Sequence, residues 1–443
     1  MRKKYALLLT LLIVLLAGFV LKPPTHLVKA QPKTWIVDDD EPADFHTISE
    51  AINASQDGDT IFVKAGLYRE NLYVDKMVTL TAENYSAVIR SVTEDVGSTV
   101  RLIATKAVIT GFTIEGGSAG IFLNGRKDFP VETVAKGNIV ANCRDYGIYV
   151  YWSNGSLVTE NIIRNNTKGL YIYWSEADIA RNVIENNSYG IYSVGLRPST
   201  IRENTIQNNS YGMLINFSAE NKVFHNNFVN NTYNAYVDGD VQNLFDNAYP
   251  SSGNYWNDYN GTDAFSGLNQ NETGSDGIGD QPYIIYENHQ DRYPLTASIK
   301  IFEAGTFENV THYVDVISNS TISAFFFKPN ETLIQFNATE RNETTGFCRV
   351  IIPKALLWVE DGWRVFTNEE EASHTTIADG SCTYLYFKYN HSTKTIRIMG
   401  TNAVPEFRLT AVTALFVAIT LLLIVAYKRR YLKQLRPISA SAS

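Results

Sequence analysis

The chain is 443 residues long, with 38 basic and 46 acidic side chains, a formal net charge of −8 and a hydrophobic content of 44%. Eleven of the basic residues lie in 1–30 and 407–443, where there is no acidic residue, so the rest holds 27 basic against 46 acidic residues, a net charge of −19. That length allows two or three domains, and a surface of that sign repels nucleic acid and, outside local patches, anionic polysaccharide, which leaves nucleic acid out as a partner.

Arg2, Lys3 and Lys4 precede an apolar run from Ala6 to Leu21, and Val28-Lys29-Ala30 supplies a small-residue cleavage site before Gln31. Residues 1–30 therefore read as a secretory signal peptide that puts the following domains outside the cell, with an uncleaved anchor as the alternative. Phe45, Ile48 and Ile52 share one helical face, and Thr47 with Glu50 has capping-box spacing. A short amphipathic helix here would plug the end of a sheet structure and cover its edges. Asp38, Asp39 and Asp40 look like metal ligands, but consecutive acids point in different directions and a solvated turn is favoured. Asp57–Val63, Val78–Leu80 and Val108–Ile114 read as short strands after turns, and residues 124–134 as an interrupting loop.

From Asn138 to Asn247 one phrase recurs: Asn-Ile-Val-Ala-Asn at 138–142, then copies at 161–165, 182–186, 204–208 and 226–230, spaced by 23, 21, 22 and 22 residues. The period matches a parallel β-helix better than helical-hairpin or leucine-rich repeats. Aligned copies give three apolar columns: Val140, Ile163, Ile184, Ile206 and Phe228; Ile148, Leu170, Ile191 and Met213; Val158, Ile179, Ile201 and Val223. No rung buries its apolar face alone, and stacking does so. Asn142, Asn165, Asn186, Asn208 and Asn230 are expected to form a stacked amide ladder. Gly147, Gly169, Gly190 and Gly212 are expected at a left-handed corner, answered by Asn234. The outward columns Glu160, Arg181, Glu203, His225 and Arg164, Glu185, Gln207 alternate in sign and read as structural cross-strand pairs rather than a catalytic carboxylate pair.

With Ile148, Val150, Leu170 and Ile172 inward, alternation turns the aromatics out. Tyr149, Tyr151 and Trp152, then Tyr171, Tyr173 and Trp174, with Tyr192 continuing the first column, form the candidate ligand-binding face. Flat rings with polar tips suit the apolar faces of sugars; the competing reading is a ladder that only stiffens the sheet.

The regular rungs are expected to end at Pro250. Gly-Asn-Tyr-Trp-Asn-Asp-Tyr at 253–259, Asp276-Gly-Ile-Gly-Asp-Gln-Pro-Tyr-Ile-Ile and Asp291-Arg-Tyr-Pro-Leu follow. This 253–295 segment resembles the closing segment of the NosD-like family of surface β-helix proteins with a pectin-lyase-like solenoid, and Trp35-Ile-Val-Asp-Asp-Asp…Ile52 resembles the family's opening. The resemblance covers about 34–296 and implies a right-handed helix. Some members are associated with copper delivery, others with carbohydrate binding or cleavage. The copper role is not carried over, because the four Met, seven His and three Cys are scattered. Asp258, Asp263, Asp276 and Asp280 are the better place for a hard cation such as a structural calcium, with ordinary Asp/Gly turns as the alternative.

Residues 297–400 carry short β-rich segments expected to form an immunoglobulin-like β-sandwich, in which Cys348 and Cys382 are candidates for a disulfide. Residues 409–427 are long and apolar enough to span a bilayer and precede Lys428-Arg429-Arg430, so a transmembrane helix at 407–427 and a cytoplasmic tail at 428–443 are expected. Pro405-Glu406-Phe407 resembles the sorting signal of archaeal surface proteins. Sixteen Asn-X-Ser/Thr sequons point to a glycosylated exterior. The fold expected is thus all-β: a right-handed parallel β-helix over 34–296, a sandwich and a single-pass anchor. Two functions fit, a non-catalytic surface module that binds polysaccharide or envelope glycoprotein, and a polysaccharide lyase or glycoside hydrolase.

Overall fold

The computed structural model describes residues 31–93, 97–125, 132–195, 198–239, 242–341 and 344–404. The expected signal peptide, sorting motif, membrane helix and tail lie outside these residues. Among the described residues no helix is long and apolar enough to cross a membrane.

Period-two alternation within each copy and the 22-residue period between copies act together. Each rung contributes one strand to each of three parallel sheets, of nine, eight and nine strands. The first runs from Thr34–Val37 to Lys222–Phe224, the second from Leu72–Val74 to Tyr233–Asp238, and the third from Gly66–Arg69 to Tyr255–Trp256. The result is a right-handed-type parallel β-helix of about nine rungs. Its register is that of the apolar columns: Val140 pairs with Ile163, Ile184, Ile206 and Phe228 in turn, and all five are wholly buried. Each such side chain contributes about 1.5–3 kcal/mol of transfer free energy. Phe228 is covered by Trp256 with ring centroids 4.3 Å apart, and Trp256 by Tyr283 at 4.4 Å, so the closing segment extends the stack beyond Pro250.

The helix Ile48–Ala54 plugs the first rung with Ile48, Ala51 and Ile52 buried. Thr47 accepts from the Glu50 amide as the capping spacing requires. At the other end Lys76 Nζ donates to the carbonyls of Ile52, Asn53 and Ser55 at 2.7–2.9 Å, where the helix dipole favours a cation.

At the corners of the rungs the structure departs from two sequence expectations. Asn142, Asn165, Asn186, Asn208 and Asn230 are not the amide ladder; they are exposed corner residues in the left-handed region, with φ of 53–58°. The buried ladders run through Asn138, Asn161, Asn182, Asn204, Asn226 and Asn254, and through Asn166, Asn187, Asn209 and Asn231. A left-handed residue turns its own side chain out and the next one in, where both the amide and the backbone N–H find the rung above. The corner glycines, in turn, lie inside strands, and none of them has a positive φ. They are needed for closeness: a Cβ on Gly169 would sit 2.8 Å from the Gly190 carbonyl oxygen, the Ile184 side chain and the Asn187 amide. Gly169→Ala is therefore expected to cost about 3 kcal/mol, the upper range for overpacking, read as a shift in denaturation midpoint at unchanged m-value. Tolerance of the methyl would show that the rungs can separate.

Two short antiparallel pairs lie in the closing segment, and after Thr296 all the strand pairing among the described residues is antiparallel. Two five-stranded sheets, one starting at Ile299–Phe307 and the other at Thr321–Lys328, enclose one core that includes Val316, Phe336, Val350, Phe387 and Ile398. Cys348 and Cys382 are both free thiols. Cys348 pairs with Phe387 across the ladder whereas Cys382 pairs with Pro353, five positions apart on adjacent strands, about 17 Å along the chain. The disulfide expected from their strand context does not form, because that separation far exceeds a disulfide's reach.

The two halves are joined by polar contacts. Arg349, 1% exposed, donates to the carbonyls of Asp276 and Pro250 in the closing segment. Asn227 and Ile299 exchange hydrogen bonds of 2.8 and 2.9 Å.

Candidate functional site

Eight parallel strands of the second sheet direct alternate side chains outward, and most of those are aromatic. The register places Tyr73, Arg101, Phe122, Tyr149, Tyr171, Tyr192, Leu214 and Tyr236 in one column. Tyr146, Lys168, Tyr189, Tyr211 and Tyr233 form a second, and Tyr151 and Tyr173 belong to a third. Ring centroids are 4.8 Å apart for Phe122 and Tyr149, 4.9 Å for Tyr149 and Tyr171, and 5.5 Å for Tyr171 and Tyr192. Tyr151 stacks on Tyr173 at 5.6 Å and 8°. These separations follow the rung spacing of about 4.8 Å, with interplanar angles from 8° for Tyr151 and Tyr173 to 36° for Tyr171 and Tyr192.

Trp152 and Trp174 leave the sheet at its corner with φ of 46° and 47°, and their rings stack at 5.8 Å and 11°. The Trp174 indole lies over Gly195, whose φ is +63° and where a Cβ would meet the ring at 2.7 Å. Trp174 remains 41% exposed. All seven sequence-predicted residues thus lie on one continuous surface. Sequence reasoning missed Phe122, Tyr146, Lys168, Tyr189, Tyr211 and Tyr233. For all but Phe122 the signal was the position directly before each core-packed glycine, or before Asn234 in the last rung; Phe122 follows Gly120 by two positions, as Tyr149 follows Gly147.

Lys168 interrupts the second tyrosine column, and its ammonium lies 5.2–5.8 Å from the rings of Tyr146, Tyr171, Tyr189 and Tyr192. Arg101 lies 5.2 Å from the Phe122 ring. Cations over ring faces hold the array flat while remaining wet. Burial, then the neighbouring phenols Tyr146, Tyr192 and Tyr173, push the Tyr171 pKa up to about 12, and burial also raises those of Tyr149 and Tyr146. Tyr171, Tyr149 and Tyr146 thus stay neutral at working pH, and a phenol offers both a donor and an acceptor to a hydroxylated ligand.

The four aspartates proposed for a cation do not converge. Asp258 accepts from Asn234 and Tyr283, Asp280 from Thr262, Ala264 and Phe265, and Asp263 from the amides of Asp276 and Gly277. Asp276 accepts from the Ile278 amide. These are turn-stabilising bonds. Among the described residues the group with three metal-capable side chains close together is Asp38, Asp39 and Asp40, against the expectation that they diverge. Asp38 is committed there to Lys64 at 3.3 Å and Asp39 to the Leu67 amide.

A cavity of about 290 Å³ lies between solenoid and antiparallel sheets, lined in part by Arg181, Arg202, Glu203, His225 and Asp315. The alternating column expected from sequence is present: Arg181 lies 3.6 Å from Glu160 and 2.6 Å from Glu203, and Arg202 joins Glu203 to Asp178. Burial pushes the Glu203 carboxyl up, but Arg202 and Arg181 more than offset it, so its pKa lies below the usual glutamate value. His225 faces Asp315 through Nδ1 at 3.5 Å and donates through Nε2 to the Ser251 carbonyl at 2.8 Å. An Nε2–H held on a carbonyl is not a base for the nearby Ser252 hydroxyl at 3.3 Å. The cluster joins the halves. Arg181→Ala is expected to cost about 3 kcal/mol, since Glu203 is left buried with a partner removed; a loss below 1 kcal/mol in urea unfolding would contradict that reading.

The family model described as "Periplasmic copper-binding protein (NosD)" matches residues 52–261, a little under half of the chain. A cell surface glycoprotein from Methanothermus fervidus is 41% identical over 81 residues, 18% of this chain and 13% of the relative. The chain therefore spans a small part of that relative's length. Among solved structures, a pectate lyase aligns over 56% of this chain and 73% of its own, with 11% identity and TM-score 0.38. The pectin methylesterase from Erwinia chrysanthemi aligns over 48% and 94%, with 12% identity and TM-score 0.30. Scores of that size carry no argument about activity. Residues 52–261 are thus similar to the NosD family, and the rungs stacked there form a parallel β-helix.

Proposed function

We propose that the chain is a membrane-anchored, non-catalytic surface module that binds an extended polysaccharide, or the glycan of an envelope glycoprotein, along the aromatic sheet. The observation that carries this reading is the continuous outward column from Phe122 to Tyr192, partly exposed and repeating at the rung spacing. A sugar chain lying along the stack meets one ring per rung, and phenolic hydroxyls and Lys168 supply polar contacts beside the apolar faces. The apolar segment at 407–427, with its basic flank, would hold the binding face outside the cell. The family description names copper, a soft-ligand chemistry; here the one close group among the described residues is all carboxylate.

A panel of soluble polysaccharides and envelope glycans tests this, with binding, new reducing ends and unsaturated products read on the same samples. Binding without products is expected. Catalytic turnover of any bound glycan would replace this reading with a lyase or hydrolase.

A further inference from the structure

The corner that precedes the aromatic sheet carries a second regular feature. Asn165, Asn186, Asn208 and Asn230 occupy one position on four successive rungs, each with φ between 53° and 56° and each exposed. Their stacking is direct, since the Asn186 amide donates to the carbonyl before Asn208 at 3.3 Å, and the Asn208 amide to the one before Asn230 at 3.0 Å. Each begins a sequon: Asn165-Asn166-Thr167, Asn186-Asn187-Ser188, Asn208-Asn209-Ser210 and Asn230-Asn231-Thr232. The middle asparagines are consumed by the inward ladder. Among the described residues Asn165, Asn186 and Asn208 have no side-chain hydrogen bond, and the Asn230 carbonyl oxygen accepts one from Asn257 at 3.4 Å. All four hydroxyl-bearing residues are exposed.

We propose that this column is an N-glycosylation face that is filled on alternate rungs. The side-chain Nδ2 attacks the anomeric carbon of a polyprenyl-phosphate-linked oligosaccharide. The new N–C bond replaces the sugar–phosphate C–O bond, the lipid phosphate leaves, and the nitrogen loses one proton to base. The acceptor nitrogens project from the same corner of rungs about 4.8 Å apart. A branched oligosaccharide is thicker than that, so a glycan on one rung blocks the next. Every second rung leaves about 9.6 Å. The inference requires export of the chain and is independent of whether the aromatic sheet binds a ligand.

The test uses the full chain exported from a host with an Asn-X-Ser/Thr oligosaccharyltransferase, with site occupancy read by glycopeptide mass spectrometry. Two double variants remove sequons through exposed hydroxyls and leave the left-handed asparagines in place. Ser188→Ala with Thr232→Ala keeps Asn165 and Asn208, two rungs apart, and each is expected to become more than half occupied. Ser210→Ala with Thr232→Ala keeps the neighbours Asn165 and Asn186, whose fractional occupancies are expected to sum to no more than one. A sum clearly above one overturns the alternation. No glycan at any of the four positions, whether or not the exposed Asn260 and Asn271 sequons are filled, overturns the site.

Discussion

Asn182→Ala is expected to destabilise the solenoid by about 4 kcal/mol. Asn182 is 1% exposed and serves three rungs at once. Its Oδ1 accepts from the backbone and side-chain nitrogens of Asn161, both at 3.0 Å. Its Nδ2 donates to the carbonyls of Val158 and Ala180 and to Asn204 Oδ1, at 2.9–3.1 Å. Alanine leaves the Asn161 N–H without an acceptor in a site closed to water, and each such orphan costs about 1–3 kcal/mol. The side-chain cavity adds to that. Because each rung touches only its neighbours, the loss falls on the middle of the stack and can split the unfolding transition. Denaturant melts followed by tryptophan fluorescence and far-UV circular dichroism read this. A change below 1 kcal/mol would mean that the ladder contributes little beyond the apolar columns.

Combined replacement of Trp152, Tyr171 and Trp174 by alanine is expected to weaken glycan binding by at least 100-fold. Aromatic stacking on a flat ring is worth about 1–3 kcal/mol per contact in the analogous case of nucleobases. Loss of three contacts at the low end is about 3 kcal/mol, a little over two decades in Kd. Trp174 and Trp152 sit at the sheet corner and Tyr171 at its centre, so the change removes the middle of the face while Leu170 and Ile172 stay buried beneath it. The fold should persist, with the circular dichroism spectrum kept and melting shifted by only a few degrees. Parent-like binding by a folded triple variant would make the rings structural. If the triple variant unfolds, Trp174→Ala alone decides, with a loss of about fivefold expected and an unchanged Kd contradicting the proposal.

The rung period and the apolar columns were legible because stacking repeats one choice of residue at every level, as with Val140, Ile163, Ile184, Ile206 and Phe228. Alternation inside each strand then fixed which rings face out, and Tyr149, Tyr171 and Tyr192 followed. The asparagine ladder was misassigned for a specific reason. In doublets such as Asn165-Asn166 the two side chains are chemically identical, and the left-handed backbone at the first decides which one turns inward. The glycines were read as turn residues because a small residue has two uses, freedom in φ and close approach, and only coordinates separate them. The paired cysteines failed on register: both lie in strands of one sheet, but Cys382 opposes Pro353 rather than Cys348. The junction of Arg181, Glu203, His225 and Asp315 was half legible, since the solenoid column repeats but Asp315 arrives from a strand ninety residues later.

The measurement that bears most directly on glycan recognition is calorimetric binding of an oligosaccharide series, from disaccharide to octasaccharide, cut from whichever polysaccharide the full chain retains. A face with one ring per rung predicts affinity that climbs several-fold with each added sugar and levels off after five or six, when the chain spans Phe122 to the last stacked tyrosines. Equal affinity for disaccharide and octasaccharide would place recognition in a single pocket elsewhere and contradict the aromatic face as the binding surface.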